Sequence, residues 1–80
     1  MKEGKTERFV MCIENRGNEA SLVIGKVYPA LRTEKIARDH GAIRVIDESG
    51  EDYLFSADRF VEVKLPRFAR EALLRTRPEA

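Results

Sequence analysis

Ala42-Ile43-Arg44-Val45-Ile46-Asp47-Glu48-Ser49-Gly50-Glu51-Asp52-Tyr53-Leu54-Phe55-Ser56 is the stretch that decides the fold. Two runs rich in β-branched and aromatic residues flank a short polar loop containing Ser49-Gly50, the pattern of two antiparallel strands joined by a tight turn. Downstream, Ala57-Asp58-Arg59 reads as a single helical turn, and Phe60-Val61-Glu62-Val63 resumes a strand. Upstream, residues 32–41 are polar and end in Gly41. Thr33 could cap a helical turn there, but Ile36 alone cannot anchor a long helix, so the segment reads as a connecting loop.

Further toward the N-terminus, Phe9-Val10-Met11-Cys12-Ile13 is a first strand, too short for a helix and apolar on both faces. Glu14-Asn15-Arg16-Gly17-Asn18 is a turn cluster, and residues 20–24 lead to an isolated Gly25 that marks a bulge or sharp turn. Lys26-Val27-Tyr28-Pro29-Ala30-Leu31 is the second strand. Pro29 cannot donate to a ladder, so it marks an edge or a side facing away from a neighbour. At the other end the period changes. Leu65, Phe68, Ala69, Ala72 and Leu73 recur at helical spacing, with Pro66 at the start and Pro78 as a stop. Arg67, Arg70, Glu71 and Arg75 lie off that stripe, and Leu74 projects opposite it, among arginines. About 11 residues of helix are marginal alone in water, so the stripe must pack on the sheet or on a partner.

Eighty residues make one domain, and the 36% charged and 42% hydrophobic fractions are those of an ordinary globular protein. The organisation expected is a flexible N-terminus over 1–8, a sheet domain over 9–63 and a basic amphipathic helical tail over 64–80. No run of about 18 apolar residues is present to span a membrane. Residues 1–8 lead into only five apolar residues, too few for a signal peptide. With Cys12 as the single cysteine no internal disulfide can form, so a cytoplasmic location is expected. The charge is uneven: residues 47–62 hold six acidic and one basic side chain, whereas 63–80 hold five basic and two acidic. An acidic hairpin and a basic tail make the molecule dipolar.

Five short strands, a long first loop, a tight hairpin and a helical turn before the last strand resemble the order of SH3-like barrels. Leu54-Phe55-Ser56-Ala57-Asp58-Arg59-Phe60-Val61-Glu62-Val63 is similar to the end of such domains, and Leu22-Val23-Ile24-Gly25-Lys26-Val27-Tyr28 to the turn feeding their second strand. Gly25-Lys26-Val27-Tyr28 together with Asp47–Leu54 resembles a group of small bacterial and phage proteins of unknown function. The resemblance covers residues 9–63 and implies an all-β, small five-stranded SH3-like barrel, here followed by a short C-terminal α-helix. It also implies an aromatic groove for proline-rich peptides, which this chain lacks. There is no tryptophan and no tyrosine in the first strand, so a proline-rich ligand is not expected.

No constellation carries a reaction. Cys12 and His40 are the only nucleophile and base of a thiol type, and neither has an evident orienting neighbour. One cysteine and one histidine cannot build a tetrahedral zinc site, and the acids around Gly50 lack the alternation of a calcium loop. Gly25-Lys26 is followed by Val27, which excludes a phosphate loop. No enzyme activity, cofactor or metal is therefore expected. Two functions stay open. The first is a protein-binding module, an adaptor or small subunit, contacting its partner through Tyr28, Arg67, Arg70, Leu74 and Arg75. The second is a nucleic-acid-binding barrel using Arg32, Lys35, Arg38 and Arg44 with the tail arginines, including Arg77.

Overall fold

The computed structural model describes residues 6–75. Its order is β1 (Thr6–Cys12), β2 (Val27–Leu31), α1 (Lys35–Asp39), β3 (Ala42–Ile46), β4 (Asp52–Ser56), a 3-10 turn (Ala57–Arg59), β5 (Phe60–Val63) and α2 (Arg67–Arg75). The five strands form one antiparallel sheet in the order β4-β3-β2-β1-β5. β4 and β5 are its two ends and are not hydrogen-bonded to each other. The sheet curls so far that Phe55 of β4 and Phe60 of β5 meet edge to face, their ring centroids 6.0 Å apart. The 3-10 turn makes this short bridge between the two ends.

Alternation places Val10 and Cys12 of β1, Tyr28 and Ala30 of β2, Ile43 and Val45 of β3, and Phe60 of β5 on the concave face. Leu22, fully buried although it lies in the first loop, completes the core, and Phe55 and Ala57 pack against it. The convex face is covered more thinly. Phe9 points there, opposite Pro29 and Val63, and is buried beneath the Arg70 guanidinium of α2, 5.1 Å from its ring centroid. A cation over an aromatic face thus covers Phe9, while Leu65, Ala69, Ala72 and Leu73 of the expected stripe are half-buried.

Several local readings change. β1 starts at Thr6, so residues 6–8 belong to the sheet, whereas residues 1–5 of the expected N-terminal segment lie outside the described residues. Residues 32–41 are not wholly loop: α1 forms, anchored by buried Ala37 while Ile36 is 74% exposed. Thr33 does not cap it. Thr33 is buried; its hydroxyl accepts the Arg44 N–H at 3.0 Å and faces the Leu31 carbonyl. On α2, Phe68 is 81% exposed, while residues 69–73 are half-buried, so the docked face is rotated from the expected stripe.

Pro29 is neither at a sheet edge nor without a neighbour. The Cys12 N–H donates to the Lys26 carbonyl, which sets the hydrogen-bonding parity of β1 with β2. By that alternation position 29 directs its nitrogen toward β3, where the strands register only at Ala30 and Val45. The missing donor falls where the ladder is thinnest.

Replacing Leu22 by alanine should cost about 2–5 kcal/mol, the range for a large aliphatic side chain removed from a packed core. Urea denaturation of the two proteins measures this; a loss under about 0.5 kcal/mol, as at an ordinary surface site, would show that the loop is not part of the core.

Candidate interaction surface

The first loop is fixed to the sheet by one buried phenol. Tyr28 is 3% exposed; its hydroxyl accepts the Val23 N–H at 2.9 Å and donates to Glu48 of the β3–β4 hairpin. Lys26 closes the group, its ammonium 2.7 Å from the same Glu48 oxygen and 5.5 Å from the Tyr28 ring centroid. Lys26, then Tyr28, hold the Glu48 carboxyl below its ordinary value, and burial, then Glu48, push the Tyr28 hydroxyl well above its own. The phenol therefore stays protonated as a donor. The Glu48 N–H also donates to the Ser21 carbonyl, 3.0 Å away, so the loop lies against the hairpin turn.

The turn is built from its own polar groups. The Asp47 carboxylate accepts from the Ser49 N–H at 2.9 Å and the Ser49 hydroxyl at 2.6 Å, and Gly50 takes the positive φ of 85° that side chains disfavour. Asp47 is buried in this role, so the acidic cluster is partly a turn device.

Between loop and hairpin runs a groove of about 550 Å³, its walls including Asn18, Ser21, Asp47, Tyr53, Phe55 and Arg59. One wall is the outer edge of β4. The Asp47 N–H donates to the Glu51 carbonyl and the Ala57 N–H to the Gly41 carbonyl, fixing Glu51, Tyr53, Phe55 and Ala57 as the residues bonded toward β3. By alternation Asp52, Leu54 and Ser56 direct their N–H and C=O groups outward, and β4 has no second neighbouring strand. Leu54 is 46% exposed and Tyr53 is exposed beside it. Opposite, the Arg59 guanidinium donates to the Glu14 carbonyl at 3.3 Å.

The residues singled out from the sequence are dispersed. Tyr28 belongs to the core, so its ring is not available to a partner. Arg70 is turned onto Phe9, and Arg67 pairs with Glu71 at 3.1 Å one turn along α2. Leu74, 39% exposed, and Arg75 face outward on α2. Among the basic residues of the middle segment, Arg44 bridges Glu34 at 2.9 Å and Asp52 at 3.0 Å, Lys35 pairs with Asp39 at 2.9 Å, and Arg38 donates to the Thr33 carbonyl. Arg32 is exposed and Arg77 lies outside the described residues. Cys12 is buried with its sulfur 3.5 Å from the Glu14 carbonyl, and the exposed His40 ring meets the Ile36 carbonyl at 2.9 Å, so each is engaged by backbone on a different part of the chain. Among the described residues no three potential metal ligands gather, and no helix is long and apolar enough to cross a membrane.

Comparison with protein families, curated proteins and solved structures gives no match for this chain.

The edge of β4 was the feature that sequence reasoning missed. Asp52–Ser56 contains no lysine or proline, the usual guards of an exposed edge, but only the strand order makes it an edge at all.

Two outcomes test the buried phenol and its acid. Tyr28→Phe should lose about 1–3 kcal/mol, since the Val23 N–H and the Glu48 carboxylate both lose a partner. Because the folded Glu48 value lies below 4.5, its contribution is complete above that value and disappears as pH falls through the lower folded one. The stability advantage of the parent over Glu48→Gln, measured in urea, should therefore be full at neutral pH and shrink in acid. An advantage that grew in acid would reverse this assignment.

Proposed function

We propose that this chain is a protein-interaction module of the cytoplasm, an adaptor or small subunit, built as an SH3-like barrel left open on one side. The curled five-strand sheet, the long first loop lying on the hairpin and the 3-10 turn before the last strand support that architecture. The observation that carries the function is the uncovered edge of β4. A strand edge without lysine, proline or a bulge is a template for pairing with another chain. Here the register with β3 is continuous from Ile46–Asp52 to Ala42–Ser56, and the central residues are Tyr53, Leu54 and Phe55.

The nucleic-acid reading is weaker because several of the cations it needs have intramolecular partners. Arg44, Lys35, Arg38, Arg67 and Arg70 each have an intramolecular partner, and Arg44 would have to surrender two carboxylates to reach a phosphate. Arg32 and Arg75 remain exposed, a sparse field beside the many phosphate contacts that drive such binding.

Immobilised protein exposed to cell extract, split into nuclease-treated and untreated halves, tests the function. A specific protein is expected in both halves, and Leu54→Lys, a surface change that places a charge on the edge, is expected to lose it. Recovery that vanishes with nuclease, with affinity falling steeply in salt, would transfer the function to nucleic acid.

A further inference from the structure

We infer that the β4 edge takes up an extended basic segment of a partner protein as a sixth strand, its alternate side chains entering the groove between Tyr53, Phe55 and Arg59. The inference rests on the reading of the chain as a protein-interaction module and adds the conformation and chemistry of what it binds.

The conformation follows from the backbone. Asp52, Leu54 and Ser56 present three outward N–H and C=O pairs over a five-residue strand, a span of about 17 Å at roughly 3.3 Å per residue. A helix has no free groups to meet them; an extended chain has one pair at every second residue. β5 is a poorer edge. The Ile13 N–H bonds to the Arg59 carbonyl, and by the same alternation only Phe60 and Glu62 of this four-residue strand face outward. The groove lies along β4, so a strand added there has somewhere to put its inward side chains: over half-buried Phe55 and the Tyr53 ring.

The charge of the segment follows from the rim. Residues 47–62 carry six acids and one base. Two of those acids have a cation within ion-pair distance, Glu48 with Lys26 and Asp52 with Arg44. Asp47 is buried and held by Ser49, whereas Glu51 before β4 and Asp58 after it have no cation within ion-pair distance among the described residues; their contacts are to Tyr53 and Ser56. The single base, Arg59, donates to the Glu14 carbonyl. A strand alternating apolar and basic residues therefore places cations beside acids at both ends of β4. A second copy pairing through the same edge would bring these acids together, which disfavours self-association.

The test uses the whole protein and three labelled synthetic octapeptides. One alternates valine and lysine, one alternates valine and glutamate, and one is the valine–lysine peptide with two central valines replaced by proline. The first is expected to bind at least tenfold more tightly than either other peptide by fluorescence anisotropy. It should also slow amide hydrogen exchange at Asp52, Leu54 and Ser56. Leu54→Pro, which removes an outward N–H without breaking the β3 ladder, should abolish binding; Leu54→Lys, at a half-exposed site, serves if the proline variant does not fold. Equal binding of the proline-containing peptide would overturn strand addition, and equal binding of the glutamate peptide would overturn the charge assignment. Failure of all three would overturn the inference. If capture of a protein from extract nevertheless persists, the module reading stands without it; if capture fails too, both fall.

Discussion

The hydroxyl of Tyr28 is the point on which the rest of the molecule turns. It is taken out of water with the ring, and a buried hydroxyl without partners would cost about 1–3 kcal/mol. Its two hydrogen bonds reach Val23 in the first loop and Glu48 in the hairpin, which lie 5 and 20 residues away. Satisfying one polar group therefore brings together two segments that no strand pairing joins. Leu22 is carried into the core by the same loop, and the Ser21 carbonyl meets the Glu48 N–H beside it. The groove exists because the loop is held at this height above β4.

The distribution of charge follows a similar logic. Most basic side chains of the middle segment and of α2 turn back onto the protein, where they hold parts of it together. Arg44 ties the residue preceding α1 to β4, and Arg70 covers Phe9. Exposed ion pairs of this kind contribute little stability individually. Of the acids around β4, Asp52 is matched by Arg44, whereas Glu51 and Asp58 have no cation within ion-pair distance among the described residues. What the surface then offers is backbone polarity along one strand edge, aromatic area beside it and negative charge at its ends. That combination suits a polypeptide in extended form better than it suits a phosphate backbone.

Much of the framework was legible from residues 42–63, because a hairpin and the helical turn after it are local. Their side-chain alternation, turn residues and spacing are all written within a few positions. The convex face was not legible. Phe68 has the spacing of a core residue and is exposed; Arg70 has the chemistry of a surface residue and lies over an aromatic ring. Helical periodicity reports which residues share a face, but not which face the sheet can accommodate. The same limit applies to α1, where Ala37 rather than Ile36 turns inward. Tyr28 shows the converse: an aromatic residue resembling a contact residue in sequence is buried once its hydroxyl finds two partners.

By itself the sequence determined a single small β-rich unit, the hairpin at its centre, a C-terminal helix and the separation of acidic from basic charge. These depend on composition and on neighbours within a few residues. Only the tertiary structure decided that β4 ends the sheet, that its outward groups are those of Asp52, Leu54 and Ser56, and that a loop from much earlier in the chain walls the groove beside it. An edge is defined by the strand that is missing, and hydrogen-bonding parity by the strand that is present. Both are relations between distant segments, and no local pattern encodes them.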